Sequence, residues 1–212
     1  MKNMMKKTFV AAALAAFVLT SCSEAKQETT AETENMAGHE GMAHNDSKAA
    51  PGKAVVDAPD YTSAAAPVKE QITAVVDSYL KLKDNLVASD ASKAQADAKA
   101  VVAAAEKVDV AALDGEQKAF AEEKLGEVKQ AASKIAAATA VDAQRAELEL
   151  LSEATFALTK AFDATGQKLY YQHCPMANNN DGGYWISTVS EIRNPYFGDQ
   201  MLKCGSTEEE LN

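Results

Sequence analysis

The chain has 212 residues, a formal net charge of -10 and 47% hydrophobic residues. That acidity argues against nucleic acid as a partner, because a phosphate backbone repels it. The length suffices for one domain with its own core plus appendages.

The N-terminus comes first in chain order. Lys2, Lys6 and Lys7 form a basic region, and Phe9 to Leu19 form an apolar run too short to span a bilayer. Leu19-Thr20-Ser21-Cys22 then resembles the lipobox of bacterial lipoproteins. The resemblance implies a signal peptide over 1–21, cleavage before Cys22 and acylation of its sulfur. The expected location is therefore the cell envelope, lipid-anchored, with the membrane itself as a partner. Ser23 is not the Asp that favours inner-membrane retention, so the outer membrane is the expected home. Lipidation consumes Cys22 and leaves Cys174 and Cys204 as an even pair where disulfides form.

Residues 22–66 read as a tether. Glu, Thr, Ala, Lys, Ser, Asn, Gly and Pro dominate, and such a composition buries too little apolar surface to offset its ordering entropy. Inside it, Met36, His39, Met42 and His44 recur at spacings of three, three and two. These are soft donors suited to a weaker class of Cu(I) or Ag(I) sites; the alternative is incidental decoration of a linker.

Residues 67–165 carry four helical stripes with apolar residues at alternating steps of four and three. They are Val68, Ile72, Val75, Tyr79, Leu82 and Leu86; then Ala94, Ala98, Val101, Ala105 and Val108; then Ala121, Leu125, Val128, Ala132 and Ile135; then Leu148, Leu151, Thr155, Leu158 and Phe162. Pro67 suits a helix start, and Asp90 or Ser92 suits the second cap. Asp114 with Gln117 makes a capping-box pattern, Thr139 or Asp142 suits the fourth cap, and Gly166 suits its end. The short connections predict a mainly α fold, an antiparallel up-down four-helix bundle. Its stripes read as plain core, and its exposed Glu and Lys residues as a solvated face.

After Gly166 the composition turns aromatic and rich in Asn, Gly and Pro. Residues 166–212 are expected to form a small, turn-rich, β-containing appendage ending in an acidic tail, packed with the bundle as one domain. Leu169–Tyr171 and Tyr184–Ile186 are the predicted hairpin strands, joined through Asn178–Gly183, with a further turn at Asn194-Pro195.

This appendage holds the chemistry. Cys174 and Met176 flank Pro175, and His173, Met201 and Cys204 are candidate completions of a Cu(I) or Ag(I) site, since thiolate, thioether and imidazole suit soft ions. No metal is expected to be needed for folding. The competing reading is a disulfide between Cys174 and Cys204 that staples the appendage. Enzyme signatures are missing: the sequence has no Cys-x-x-Cys, Gly-x-Ser-x-Gly, phosphate-binding Gly loop or His-Glu-x-x-His. The chain is therefore not expected to be an enzyme.

Tyr171-Gln-His-Cys-Pro-Met176-Ala177, Gly183-Tyr-Trp185, Glu191-Ile-Arg-Asn-Pro-Tyr-Phe-Gly198 and Met201-Leu-Lys-Cys-Gly205 together resemble a bacterial family catalogued as domain of unknown function 3347. Its members are secreted or lipid-anchored, or sit at the C-terminus of adaptor subunits of copper and silver efflux pumps. The Cys-Pro-Met core is also similar to an element of heavy-metal-binding domains, with Ala177 where that element has His. The resemblance implies soft-metal buffering, delivery or efflux, with an efflux adaptor subunit as partner. The alternative is a non-catalytic envelope interaction module with a structural disulfide.

Overall fold

The computed structural model describes residues 56–212. Ordered packing begins inside the stretch expected as tether. Val56, Ala58, Tyr61 and Ala64 lie partly buried against the core. Tyr61 packs on Phe120 and Phe162, with ring centroids 5.7 and 5.4 Å away. One aromatic side chain there buries enough area to fasten a segment whose composition otherwise reads as linker.

The helices follow the apolar periodicity. Helix α1 (Ala66–Val87) starts with Pro67 in its first turn, where a missing N–H costs no helical bond. Helix α2 (Ala91–Ala105) is capped by Asp90, whose side chain accepts from the Lys93 N–H at 3.0 Å. Helix α3 (Gly115–Ala137) has Asp114 at its N-cap position, but that side chain makes no capping bond, so this half of the predicted capping box is not formed. Every residue of the four predicted stripes is buried.

The fourth helix differs from expectation. A separate short helix, α4 (Val141–Arg145), precedes α5 (Leu148–Phe162), and the stripe lies wholly on α5. Glu147, at φ -98 and ψ -2, sits in the bridge region and breaks the ladder between them. Neither Thr139 nor Asp142 occupies the cap; Ala140 does. The end falls at Asp163, in the left-handed conformation (φ 49, ψ 46), rather than at Gly166.

Helix α1 packs against α2 and α5, and α3 packs against the same two. Ala94, Ala98 and Ala105 supply the α2 face, so helices approach closely there but bury little area per residue. Helix α5 is buried nearly all round. Besides its stripe, Ala154, Phe156, Ala157, Thr159 and Ala161 are covered, because a sheet lies on its other side. No described helix is long and apolar enough to cross a membrane.

That sheet has three antiparallel strands, β1 (Leu169–Cys174), β2 (Gly183–Ser187) and β3 (Ser206–Leu211), in the order β2-β1-β3. The predicted hairpin is present, with Cys174 opposite Gly183 and Tyr170 opposite Ser187. Its connection is an unusual turn. Asn178, Asn179 and Asn180 all have positive φ, of 50, 61 and 73°, which asparagine tolerates better than other side chains, and Gly182 follows at 93°. The Asn178 amide donates to the Gly182 carbonyl and holds the turn shut.

The acidic tail is itself a strand, β3. Ser206-Thr-Glu-Glu-Glu-Leu211 pairs with β1 across a register shift at Tyr171/Gln172. Its charge is met by lysines: Lys160 Nζ lies 2.5 Å from Glu209 and Lys168 Nζ 2.6 Å from Glu210.

Candidate functional site

The site follows from the alternation of strand β1. Side chains two apart share a face, and neighbours do not. Tyr171 and His173 share the face that meets the helices. Tyr171 stacks on Phe156 of α5 at 4.0 Å, Tyr184 stacks on Tyr171 at 5.0 Å, and His173 stacks on Tyr184 at 4.2 Å. Gln172 and Cys174 occupy the opposite face.

That second face is covered by the connection between β2 and β3. Gln172 is buried in mid-strand and satisfied: its amide donates to the carbonyls of Val189 and Ser190, while its carbonyl accepts from Trp185 Nε1 at 2.8 Å. Asn194 holds the cover's shape. Its Oδ1 accepts from the Tyr196 N–H and its Nδ2 donates to the Cys204 carbonyl. Gly205 lies so close to β1 and Trp185 that a Cβ there would sit 2.6 Å from the His173 carbonyl and 2.9 Å from the indole ring.

This folding brings Cys204 onto Cys174, with the two Sγ atoms 2.7 Å apart. Cys174 is fully buried and Cys204 half-buried. Their shared hydrogen bond, together with burial, pushes the Cys204 thiol up to about 11.

Of the other candidate ligands, His173 and Met176 are placed elsewhere. His173 projects from the opposite face of the same strand, away from the thiol pair. Met176 is 49% exposed and lines a surface groove with Arg145, Tyr196 and Phe197. Met201 is half-buried, and its carbonyl accepts from the Cys204 N–H at 3.1 Å. Among the described residues, no group of three His, Cys, Asp or Glu is positioned to hold a metal ion. Two sulfurs bound at about 2.3 Å to one tetrahedral ion stand about 3.8 Å apart. The Cys174–Cys204 contact is shorter than that. Met36, His39, Met42, His44 and the lipidation candidate Cys22 lie outside the described residues.

Two polar clusters that the sequence reading passed over tie the appendage to the helices. The buried Arg145 donates from Nε to the Pro195 carbonyl at 2.8 Å, and from Nη2 to the Leu86 carbonyl at 3.0 Å and Ser89 Oγ at 2.9 Å. It thus joins the end of α1 to the cover. Glu149, in the first turn of α5, meets the outer edge of β2. It accepts from the Tyr184 N–H at 2.7 Å, while the Ile186 N–H finds Tyr79 Oη at 3.1 Å. Strand β2 is an edge strand whose outward N–H groups are satisfied by helix side chains, which fixes the sheet to α1 and α5.

Neither a curated protein nor a solved structure matches this chain. The Cys-Pro-Met element lies beyond the part that a family model matches. Residues 75–167, which run from mid-α1 past the end of α5, match the model described as "Protein of unknown function (DUF3347)", which supports that domain family for the helical part of the chain.

Proposed function

We propose that this protein is a lipid-anchored, non-catalytic module of the cell envelope, whose C-terminal sheet is closed by a Cys174–Cys204 disulfide. The helices act as its scaffold, an antiparallel up-down four-helix bundle. Support for that arrangement comes from the cyclic packing of α1 on α2, α2 on α3, α3 on α5 and α5 on α1. The observation that carries the functional reading is the 2.7 Å contact between the thiols, one of them fully buried. Oxidation releases one proton from each thiol and passes two electrons to an external protein disulfide, which leaves as two thiols. On the chain-entropy model the closed loop adds about 3–4 kcal/mol.

Soft-metal binding is the second reading. It is favoured by two thiols in one place with the exposed thioether of Met176 two residues from Cys174. Here Cu(I) or Ag(I) is cargo, handed to or from a metal-efflux adaptor. The half-buried Cys204 must then swing away from Cys174 to admit the ion.

One experiment separates the two. Full-length protein carrying Cys22→Ser is isolated without reductant and treated with a mass-tagging maleimide. The disulfide reading expects no tag before reduction and two after it. It also expects Cys174→Ser and Cys204→Ser to lower the melting temperature equally, to that of reduced protein. Two free thiols in the native protein would overturn it. The reduced chain is then titrated anaerobically with Cu(I). Identical uptake by the parent and its Cys174→Ser derivative removes the metal reading. A clear loss in Cys174→Ser, with a smaller one in Met176→Leu, supports it.

A further inference from the structure

The contacts around Glu149 do not balance if its carboxyl is ionised. Tyr196 Oη lies 2.9 Å from Glu149 Oε2 and 2.7 Å from the Tyr184 carbonyl oxygen. A carbonyl only accepts, and a phenol has one hydrogen to give. If Tyr196 donates to Tyr184, the Glu149–Tyr196 contact needs a hydrogen from the carboxyl. If the carboxyl is ionised, one hydrogen faces two acceptors. One arrangement gives every contact its hydrogen: protonated Glu149 donates from Oε2 to Tyr196 Oη, Tyr196 donates to the Tyr184 carbonyl, and the Tyr184 N–H donates to the remaining lone pair of the same Oε2.

We propose that Glu149, Tyr196 and Tyr184 form a proton-binding site that latches β2 and the β2–β3 cover onto helix α5. The latch is closed with the proton bound and loosened when it leaves.

The surroundings agree with this. Burial is the largest influence on Glu149 and raises its pKa above the ordinary 4.5. The Tyr184 N–H, the Tyr196 hydroxyl when it acts as donor, and His173 of β1 oppose that rise, while Glu153, one turn along α5, adds to it. The other titratable groups that face the carboxyl are Tyr79 of α1, Tyr171 of β1, Tyr184 of β2 and Tyr196 of the cover. All four are phenols held above their usual range, with desolvation as the main cause. They stay neutral where Glu149 titrates, so it is the group in the cluster that changes charge against its phenol neighbours. An acid whose folded pKa is raised contributes stability in full below its unfolded pKa and loses it as pH rises through the folded one. The latch is thus tightened by acid, the reverse of an ordinary carboxylate.

The test is a pH titration of the Glu149 side-chain carboxyl carbon by NMR in the full-length protein, labelled with 13C glutamate and assigned through bonds. The expected midpoint lies above 4.5; a midpoint at or below it overturns the proposal. Tyr196→Phe gives the sharper reading. If the carboxyl donates to Tyr196, loss of that acceptor lowers the midpoint. If Tyr196 donates to a carboxylate, loss of the donor raises it, so a raised or unmoved midpoint overturns the assignment. Thermal melts of wild type and Glu149→Gln give a third readout. The amide keeps a donor toward Tyr196 but cannot also accept the Tyr184 N–H at the same atom, so Glu149→Gln should melt below wild type at low pH, with the gap narrowing as pH rises through the wild-type midpoint. A gap that does not change with pH counts against the latch. If Glu149→Gln does not fold, the two NMR titrations still decide.

Discussion

Arg145 shows how much one residue can hold. It is one of the two arginines in the sequence, in a chain that otherwise takes its positive charge from lysine. Its planar fork reaches the Pro195 and Leu86 carbonyls and Ser89 Oγ in fixed directions, which a lysine ammonium cannot copy. Removing it strands two buried carbonyls, each costing about 1–3 kcal/mol if unpaired. Arg145→Ala is therefore expected to lose about 2–4 kcal/mol in urea denaturation. Arg145→Lys should recover part of that loss, and a loss below ~1 kcal/mol in Arg145→Ala would show that water replaces the guanidinium. The sequence reading set exposed Glu and Lys residues on a solvated face and gave Arg145 no role. The available signals were the choice of Arg over Lys, and a carboxylate set inside the apolar run Leu148-Glu-Leu-Leu151. The placing of His173 turned on a similar detail. Once β1 reaches Cys174, strand alternation alone separates His173 from Cys174.

At the level of elements, helices were legible because their period repeats over several turns. Every stripe position is buried, and Pro67 and Asp90 act as read. Leu151 lies at 0% exposure on α5, between the other helices and the sheet. Leu151→Ala is expected to cost about 2–5 kcal/mol by thermal or urea unfolding, with the two-state transition retained. A cost under ~1 kcal/mol would mean that the site collapses around the smaller side chain. What sequence did not give was the second face of α5, because Phe156 is explained only by Tyr171 beyond the helix. Nor did it give β3. Three consecutive glutamates have poor strand propensity, and that segment is a strand only because β1 and two lysines meet it.

For the whole molecule, the central expectation is that export and folding are separable. Cys22→Ser should lose its lipid label and move from the membrane to the soluble periplasmic fraction, with an unchanged melting curve. Finding it in the membrane fraction at wild-type mobility would remove the lipid anchor from the proposal. The fold also bears on how such an anchor would be loaded. Lys160 of α5 donates to the Val56 carbonyl at 2.8 Å and pairs with Glu209 of β3 at 2.5 Å. Five residues on, the Tyr61 N–H is held by the Ala161 carbonyl at 2.7 Å. Tension on the chain ahead of Val56 thus arrives at one ammonium and is divided between a central helix and the final strand. Lys160 is thus a mechanical junction, and a pull on the chain ahead of Val56 is expected to load helix and strand together rather than peel the domain from one end.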